Sequence, residues 1–293
     1  MGARFYITDV FATKMYSGNQ LATVLHDDRI PDEEMQSIAA EFGFSETTFV
    51  MSQSPGEGGY PVRVFTPKAE IPFAGHPTLG TAHVLREHVL DDIGDTIRLR
   101  FEVGSIPVRS SDSGALWMQQ NQPEFEDGAD PQTIASMLGL NGDDMDPRWP
   151  ISQVTTGLPF TIVPLRSADA LRRAQVASSA YERWIDTVWA KGILAFHLSG
   201  RTQEQDITAR VFVPYLGVPE DPATGSANGC LAGYILRHNV LGAADIDVRV
   251  GQGYEIARPS EILIRASLSE NTYRIEVGGR VIDVASGLLN VTA

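Results

Sequence analysis

Three side chains stand where a proton carrier is useful. His76 follows Gly75 at the mouth of a helical stretch, and the positive potential of a helix N-terminus favours neutral imidazole over imidazolium. Asp221 precedes Pro222, whose ring biases it to extended backbone on the approach to a second helical stretch that opens with Gly225-Ser226. Glu46 opens a β-like run in Phe44-Ser45-Glu46-Thr47-Thr48-Phe49-Val50. On sequence alone its plain reading is a solvent-facing strand end. His76 and Asp221 also have plain readings, as a structural loop histidine and a loop aspartate. Cys230 lies among small residues and reads as a small buried hydrophobe.

The two glycine-led helix starts suit a negatively charged ligand. A helix N-terminus leaves about four backbone N–H groups unpaired and carries partial positive charge. Glycine lets a ligand come close to that backbone. Two such ends converging on one cleft would bind a carboxylate without an arginine.

The elements that must position these residues follow from periodicity. Helices are expected over 31–41, 77–90 and 226–238. The last two are dominated by small residues, including Leu79-Gly80-Thr81-Ala82 and Ala227-Asn228-Gly229-Cys230, which suits helices enclosed by a sheet. Short β-like runs recur along the chain, among them 4–10, 21–25, 47–51, 60–65, 96–101, 161–165, 192–198, 208–213 and 273–277. Gly278-Gly279 reads as a tight hairpin turn.

A repeat organises the chain. Arg63-Val64-Phe65-Thr66-Pro67 recurs as Arg210-Val211-Phe212-Val213-Pro214, and each copy leads through a proline-containing loop into a small-residue helix. With three extra residues in the second loop, Gly75 matches Gly225 and His76 matches Ser226. A repeat of half the chain predicts an α+β fold of two pseudo-symmetric lobes rather than a solenoid, whose units run to roughly 20–50 residues. The lobes are expected over 1–114 plus 270–293 and over 115–269.

Composition removes several classes of function. At 293 residues and net charge −14, the chain repels phosphate backbones, so no nucleic-acid partner is expected. No apolar run approaches the roughly 18 residues that span a bilayer. The first ten residues lack a signal-peptide core, so the chain is expected to be cytoplasmic with no membrane partner. A single cysteine rules out an intrachain disulfide and a two-thiol mechanism. His26, His83, His88, His197 and His238 lack metal-ligand spacing, so no metal site is expected. Gly251-Gln252-Gly253 is no nucleotide fingerprint.

Larger blocks carry a family resemblance. They are Ser17-Gly18-Asn19-Gln20, Phe44-Ser45-Glu46-Thr47-Thr48-Phe49, Phe73-Ala74-Gly75-His76-Pro77-Thr78-Leu79-Gly80, and Glu220-Asp221-Pro222-Ala223-Thr224-Gly225-Ser226-Ala227, with Gly251-Gln252-Gly253 and Val277-Gly278-Gly279. Together they resemble the PhzF-like proteins of phenazine biosynthesis, within the diaminopimelate epimerase superfamily. The resemblance implies two lobes, each a curved mixed sheet or barrel around a central helix, with C-terminal strands returning to the first lobe. Gln20 departs from it, since the family has proline there. The epimerase branch uses one cysteine per lobe, and Ala74 and Thr224 stand at the corresponding positions.

The PhzF-like branch implies an isomerase without a cofactor that moves a proton on a dihydro-hydroxyanthranilate skeleton. Glu46 would be the acid/base, which reverses its plain reading. His76 and Asp221 would orient the substrate or tune Glu46. Gly75, Gly225, Ser226 and Asn19 would bind a small carboxylate substrate. The resemblance also implies a homodimer. Two other readings stay open: a thiol-independent amino-acid racemase or epimerase, and a carboxylate-binding or protein-interaction module that has lost catalysis.

Overall fold

The computed structural model describes residues 2–26, 30–91 and 94–291. In chain order the elements begin with β1 Gly2–Val10, β2 Asn19–Leu25, α1 Asp32–Phe42, β3 Glu46–Val50, β4 Tyr60–Phe65, β5 Glu70–Ile71, α2 Gly75–His88, β6 Thr96–Phe101, β7 Gly104–Ser110 and β8 Leu116–Gln119. They continue with β9 Glu124–Asp127, α3 Pro131–Met137, β10 Ser152–Thr155, β11 Pro159–Pro164, α4 Ala168–Arg173, α5 Ser178–Trp184, β12 Gly192–His197 and β13 Ile207–Val213. The last are β14 Val218–Asp221, α6 Gly225–Arg237, β15 Asp245–Gln252, β16 Ser260–Ser269, β17 Thr272–Gly279 and β18 Val281–Asn290.

The chain forms two compact units, Met1–Gln119 with Gly278–Ala293, and Gln120–Val277. Both boundaries lie later than 114 and 269, for identifiable reasons. β8 stays with the first unit because it pairs with β7, Val108 opposite Met118. The start of β17 stays with the second, where Tyr273 exchanges hydrogen bonds with the Gln122 side chain and the Gln120 N–H donates to the Ile275 carbonyl.

Each unit repeats the other's strand order. In the first, β18, β1 and β2 are antiparallel neighbours, β2 and β3 are parallel, β3 and β4 antiparallel, β4 and β6 parallel, and β6 and β7 antiparallel. In the second, β9, β10, β11, β12, β13, β15 and β16 follow the same alternation. Register agrees too. Val64 pairs with Ile71 as Val211 pairs with Asp221, offsets of 147 and 150, and the two helices that follow start at Gly75 and Gly225, again 150 apart.

The central helices are apolar because their own sheets enclose them. In α2 every residue from Gly75 to Ala82 is buried, and the helix touches β1, β2, β3, β6, β7, β8 and β18. Gly80 is required by that enclosure, since a Cβ there would stand 2.9 Å from Val10 Cγ2 and collide with Leu21. In α6, a Cβ at Gly229 would meet Gln120 and Thr156 at 2.9–3.0 Å. A second apolar layer covers each sheet's other face. Met35 and Ala39 of α1 pack on Val24, Phe49 and Phe65 in the first unit. In the second, α3, α4 and α5 pack on Val163, Ile193, Ala195 and Phe212.

Helix α1 is bounded as its sequence suggests, with Asp32, Glu33 and Glu34 in its first turn and left-handed Gly43 (φ 65°) closing it. The short helices α3, α4 and α5, six or seven residues each, give too few turns for periodicity to register. Gly278-Gly279 is not a hairpin turn; both glycines lie in β17. Gly278 is needed because the Trp117 ring and the Leu116 carbonyl come within 2.5–2.7 Å of where a Cβ would stand. The tight two-residue turn is Glu270-Asn271, between β16 and β17, where both residues have positive φ (49° and 65°). Among the described residues, no helix is long and apolar enough to cross a membrane.

Candidate active site

In the first unit four of the expected residues come together. Glu46 is the first residue of β3, Asn19 the first of β2, and Gly75 and His76 open α2. Parallel pairing of β2 with β3, Leu21 opposite Glu46, sets the two strand starts side by side. Gly18 makes the entry to β2 possible: its φ is +74°, and a Cβ there would collide with the Val10 carbonyl.

His76 is 5% exposed and Glu46 17%, and Glu46 Oε2 lies 3.6 Å from His76 Nε2. His76 is held from both sides. Its Nδ1 is 3.3 Å from Asn19 Nδ2, and its Nε2 is 3.3 Å from the Gln20 carbonyl oxygen. An amide nitrogen only donates and a carbonyl only accepts. The network therefore assigns an Nδ1 that accepts from Asn19 and an Nε2–H that donates to Gln20. Burial pushes the His76 pKa down to about 3, partly opposed by the bond to Gln20. The imidazole is neutral near pH 7, and its Nε2 lies 3.6 Å from the Glu46 carboxylate. Gln20 contributes only its backbone, so the departure from proline leaves this contact in place.

Behind the site a chain of threonines joins the three elements. Thr81 on α2 donates to Thr48 on β3 at 2.8 Å, and Thr48 donates to Thr23 on β2 at 3.0 Å. Buried and shielded from water, these bonds lock the helix start against both strand starts. No side chain caps α2, whose N-cap is Ala74, and Pro77 has no N–H. The first turn thus presents the N–H groups of Gly75 and His76.

In the second unit Asp221 ends β14, and Gly225 and Ser226 open α6. Asp221 is 7% exposed, and its Oδ2 accepts from the Thr224 hydroxyl at 2.5 Å. Thr224 spends its hydroxyl there and does not cap α6. The first turn of α6 therefore also presents uncapped N–H groups. Gln252 organises this loop, donating to the Asp221 carbonyl at 2.8 Å and to Thr224 Oγ1 at 3.1 Å, and accepting from Asn228 at 3.0 Å. Gly253 fits beside it only with φ +76°, with the Pro222 carbonyl 2.6 Å from where a Cβ would stand. These contacts give Gln252 and Gly253, within the Gly251-Gln252-Gly253 block that carries part of the family resemblance, a structural role in the Asp221 loop.

Register shows how far the repeat departs from symmetry at the chemistry. Leu21 opposite Glu46 corresponds to Phe160 opposite Gly192. The second unit thus has Gly192 where the first has Glu46, and Ser226 where it has His76. A Cβ at Gly192 would run into the Phe160 ring at 2.6 Å. The carboxylate–imidazole pair exists in one unit only. Cys230 is fully buried, donates to the Leu158 carbonyl at 3.5 Å, and has a pKa pushed up to about 12 by burial, so it stays a thiol.

Duplicated sheets around central helices, with no side-chain cap at either helix start and the Glu46–His76 pair beside the first, define an α+β fold of the epimerase type. Residues 8–287 match the model of the phenazine biosynthesis-like protein family, PhzC-PhzF, and the chain belongs to that family. The trans-2,3-dihydro-3-hydroxyanthranilate isomerase of Pseudomonas aeruginosa is 33% identical over 289 residues, covering 97% of this chain and 98% of that protein. The crystal structure of a PhzF-family phenazine biosynthesis protein from Bacillus anthracis superposes with a TM-score of 0.91 at 27% identity, covering 99% of this chain and all of that one. A probable proline racemase from Agrobacterium radiobacter shares the fold at 8% identity, with a TM-score of 0.65 over 99% of this chain and 93% of its own. The chain is an isomerase of the PhzF family.

Proposed function

We propose that this isomerase moves a proton between two carbons of a small cyclic amino or hydroxy carboxylic acid of the trans-2,3-dihydro-3-hydroxyanthranilate type, with Glu46 as the proton carrier. The observation that carries the reading is the half-buried Glu46 carboxylate 3.6 Å from a buried imidazole that is held neutral. In the proposed reaction Glu46 takes a proton from one substrate carbon, and the C–H electron pair enters the substrate's conjugated system. The resulting carboxylic acid returns the proton to another carbon. Atoms and electrons balance with one carboxylate in two protonation states, so the step needs no cofactor. A neutral His76 does not compete for the proton. In the first unit the first-turn N–H group of Gly75 is assigned to a substrate carboxylate; in the second unit those of Gly225 and Ser226 are assigned to carboxylate binding, and Asp221 to an amino or hydroxyl group. Asn19 fixes the His76 ring.

Glu46→Gln keeps size and hydrogen bonding and removes the proton carrier. With trans-2,3-dihydro-3-hydroxyanthranilate as first substrate, the variant should fold, bind a carboxylate ligand and lose roughly 10²–10⁴-fold in kcat. Ser226→Ala should weaken binding more than kcat, and only modestly, because the backbone N–H groups remain. Deuterium from solvent should enter the product at the receiving carbon. Inversion at a single carbon, with no transfer to a second, would point to a racemase instead. Unimpaired turnover by Glu46→Gln would remove Glu46 from the chemistry.

A further inference from the structure

A second cluster of ionisable side chains lies at the other end of α2. His83 and His88 sit on the last turns of that helix, and Asp283 lies on β18, 195 positions after His88. His83 Nε2 is 3.3 Å from Asp283 Oδ1, and His88 Nε2 is 3.0 Å from Asp283 Oδ2. All three donor atoms lie within 4.8 Å of one another. From this geometry we propose that His83, His88 and Asp283 bind one divalent transition-metal ion of the zinc, cobalt or nickel type.

The fold aims the three ligands at one point. Thr8 of β1 faces α2, 3.3 Å from where a Gly80 Cβ would stand, and Thr8 pairs with Asp283. Cross-strand partners share a face, so Asp283 also faces the helix. The register shifts beside this pair, where Ile7 opposes Ala285 and Thr8 opposes Asp283, and such bulges commonly re-aim a side chain. The His88 ring is fixed by stacking on Tyr6, with centroids 4.4 Å apart and planes 11° apart. His83 Nε2 is shielded from solvent yet makes no aligned hydrogen bond.

Donors around a tetrahedral zinc with bonds of roughly 2.0–2.1 Å are about 3.4 Å apart. The two separations, 3.3 and 3.0 Å, lie just short of that value. His88 and Asp283 are partly exposed, at 28% and 45%, so the remaining adjustment falls on side chains free to make it. Two imidazoles beside one carboxylate suit zinc, cobalt and nickel, whereas calcium and magnesium take oxygen ligands. Three protein ligands leave a position for water. A bound ion would tie β18 to the end of the helix that carries His76 at its start.

Metal-stripped protein titrated with Zn²⁺ by calorimetry, and with Co²⁺ by visible d–d absorption, tests the proposal. The expected result is one ion per chain with a Kd of about 10 µM or tighter at pH 7.5, lost on acidification as the histidines protonate. Ca²⁺ and Mg²⁺ should not compete. Zn²⁺ should also raise the Tm of the wild type. His88→Ala and Asp283→Asn change partly exposed side chains, so both should keep the wild-type circular dichroism. Each should weaken binding at least about tenfold, as losing one of three ligands requires. No stoichiometric binding at about 100 µM ion, or binding unchanged in both variants, would overturn the proposal.

Discussion

Acid should destabilise this protein through His76 in a way that one substitution removes. In the folded chain its pKa is pushed down to about 3, against 6.5 for the free side chain. The sign follows from linkage: the neutral ring is the form the fold accepts, so its stability contribution is intact above pH 6.5 and declines as pH falls toward 3. Between pH 7 and pH 5 the unfolded chain takes up a proton that the folded chain refuses, at a cost of about 2 kcal/mol. His76→Gln carries no proton at either pH. Chemical denaturation of both proteins at pH 7 and pH 5 gives the difference between their pH dependences. Burial also lowers the pKa of His83 and His238, but both are present in each protein and cancel. Wild type should lose about 2 kcal/mol more than the variant over this interval. The ring nitrogens, followed by NMR, should show Nε2–H and unprotonated Nδ1 down to about pH 5, where an ordinary histidine is already charged. Equal pH dependence in the two proteins, or a His76 resonance titrating near pH 6.5, would refute the claim that the imidazole beside Glu46 is neutral.

Gly253→Ala forces a side chain into a left-handed position facing the Pro222 carbonyl, and should cost at least about 2 kcal/mol. It should lower Tm and weaken binding of a carboxylate ligand, and an unchanged Tm would show that Gly253 does not fix this loop. Cys230, with its pKa pushed up to about 12, should resist thiol-directed alkylation in the native protein and react fully in denaturant, with mass spectrometry as the readout. Native labelling at the denatured rate would place the thiol at the surface.

By itself the sequence determined the duplication, both helix starts and the absence of a thiol pair. Each rests on local signals: Arg-Val-Phe recurring, small residues where a helix is enclosed, glycine where backbone must be open, and one cysteine in the whole chain. The motif blocks also carried the family. Glu46 was different, because a charged residue opening a strand looks the same whether it faces solvent or a buried imidazole. Only the parallel pairing of β2 with β3, and the placement of α2 against both, brought its carboxylate to His76, 30 positions away. The same holds for the His76 tautomer, fixed by Asn19 and Gln20 more than 50 positions earlier. Strand register alone revealed that Gly192 takes the place of Glu46 in the second unit, because one helix separates the paired strands in the first half and two helices separate them in the second. His83 and His88 gave no metal-ligand spacing, since their third partner, Asp283, is on a strand that returns from the far end of the chain. Spacing along a sequence registers ligands that share a helix or loop, whereas a site assembled across a sheet exists only once the strands are paired.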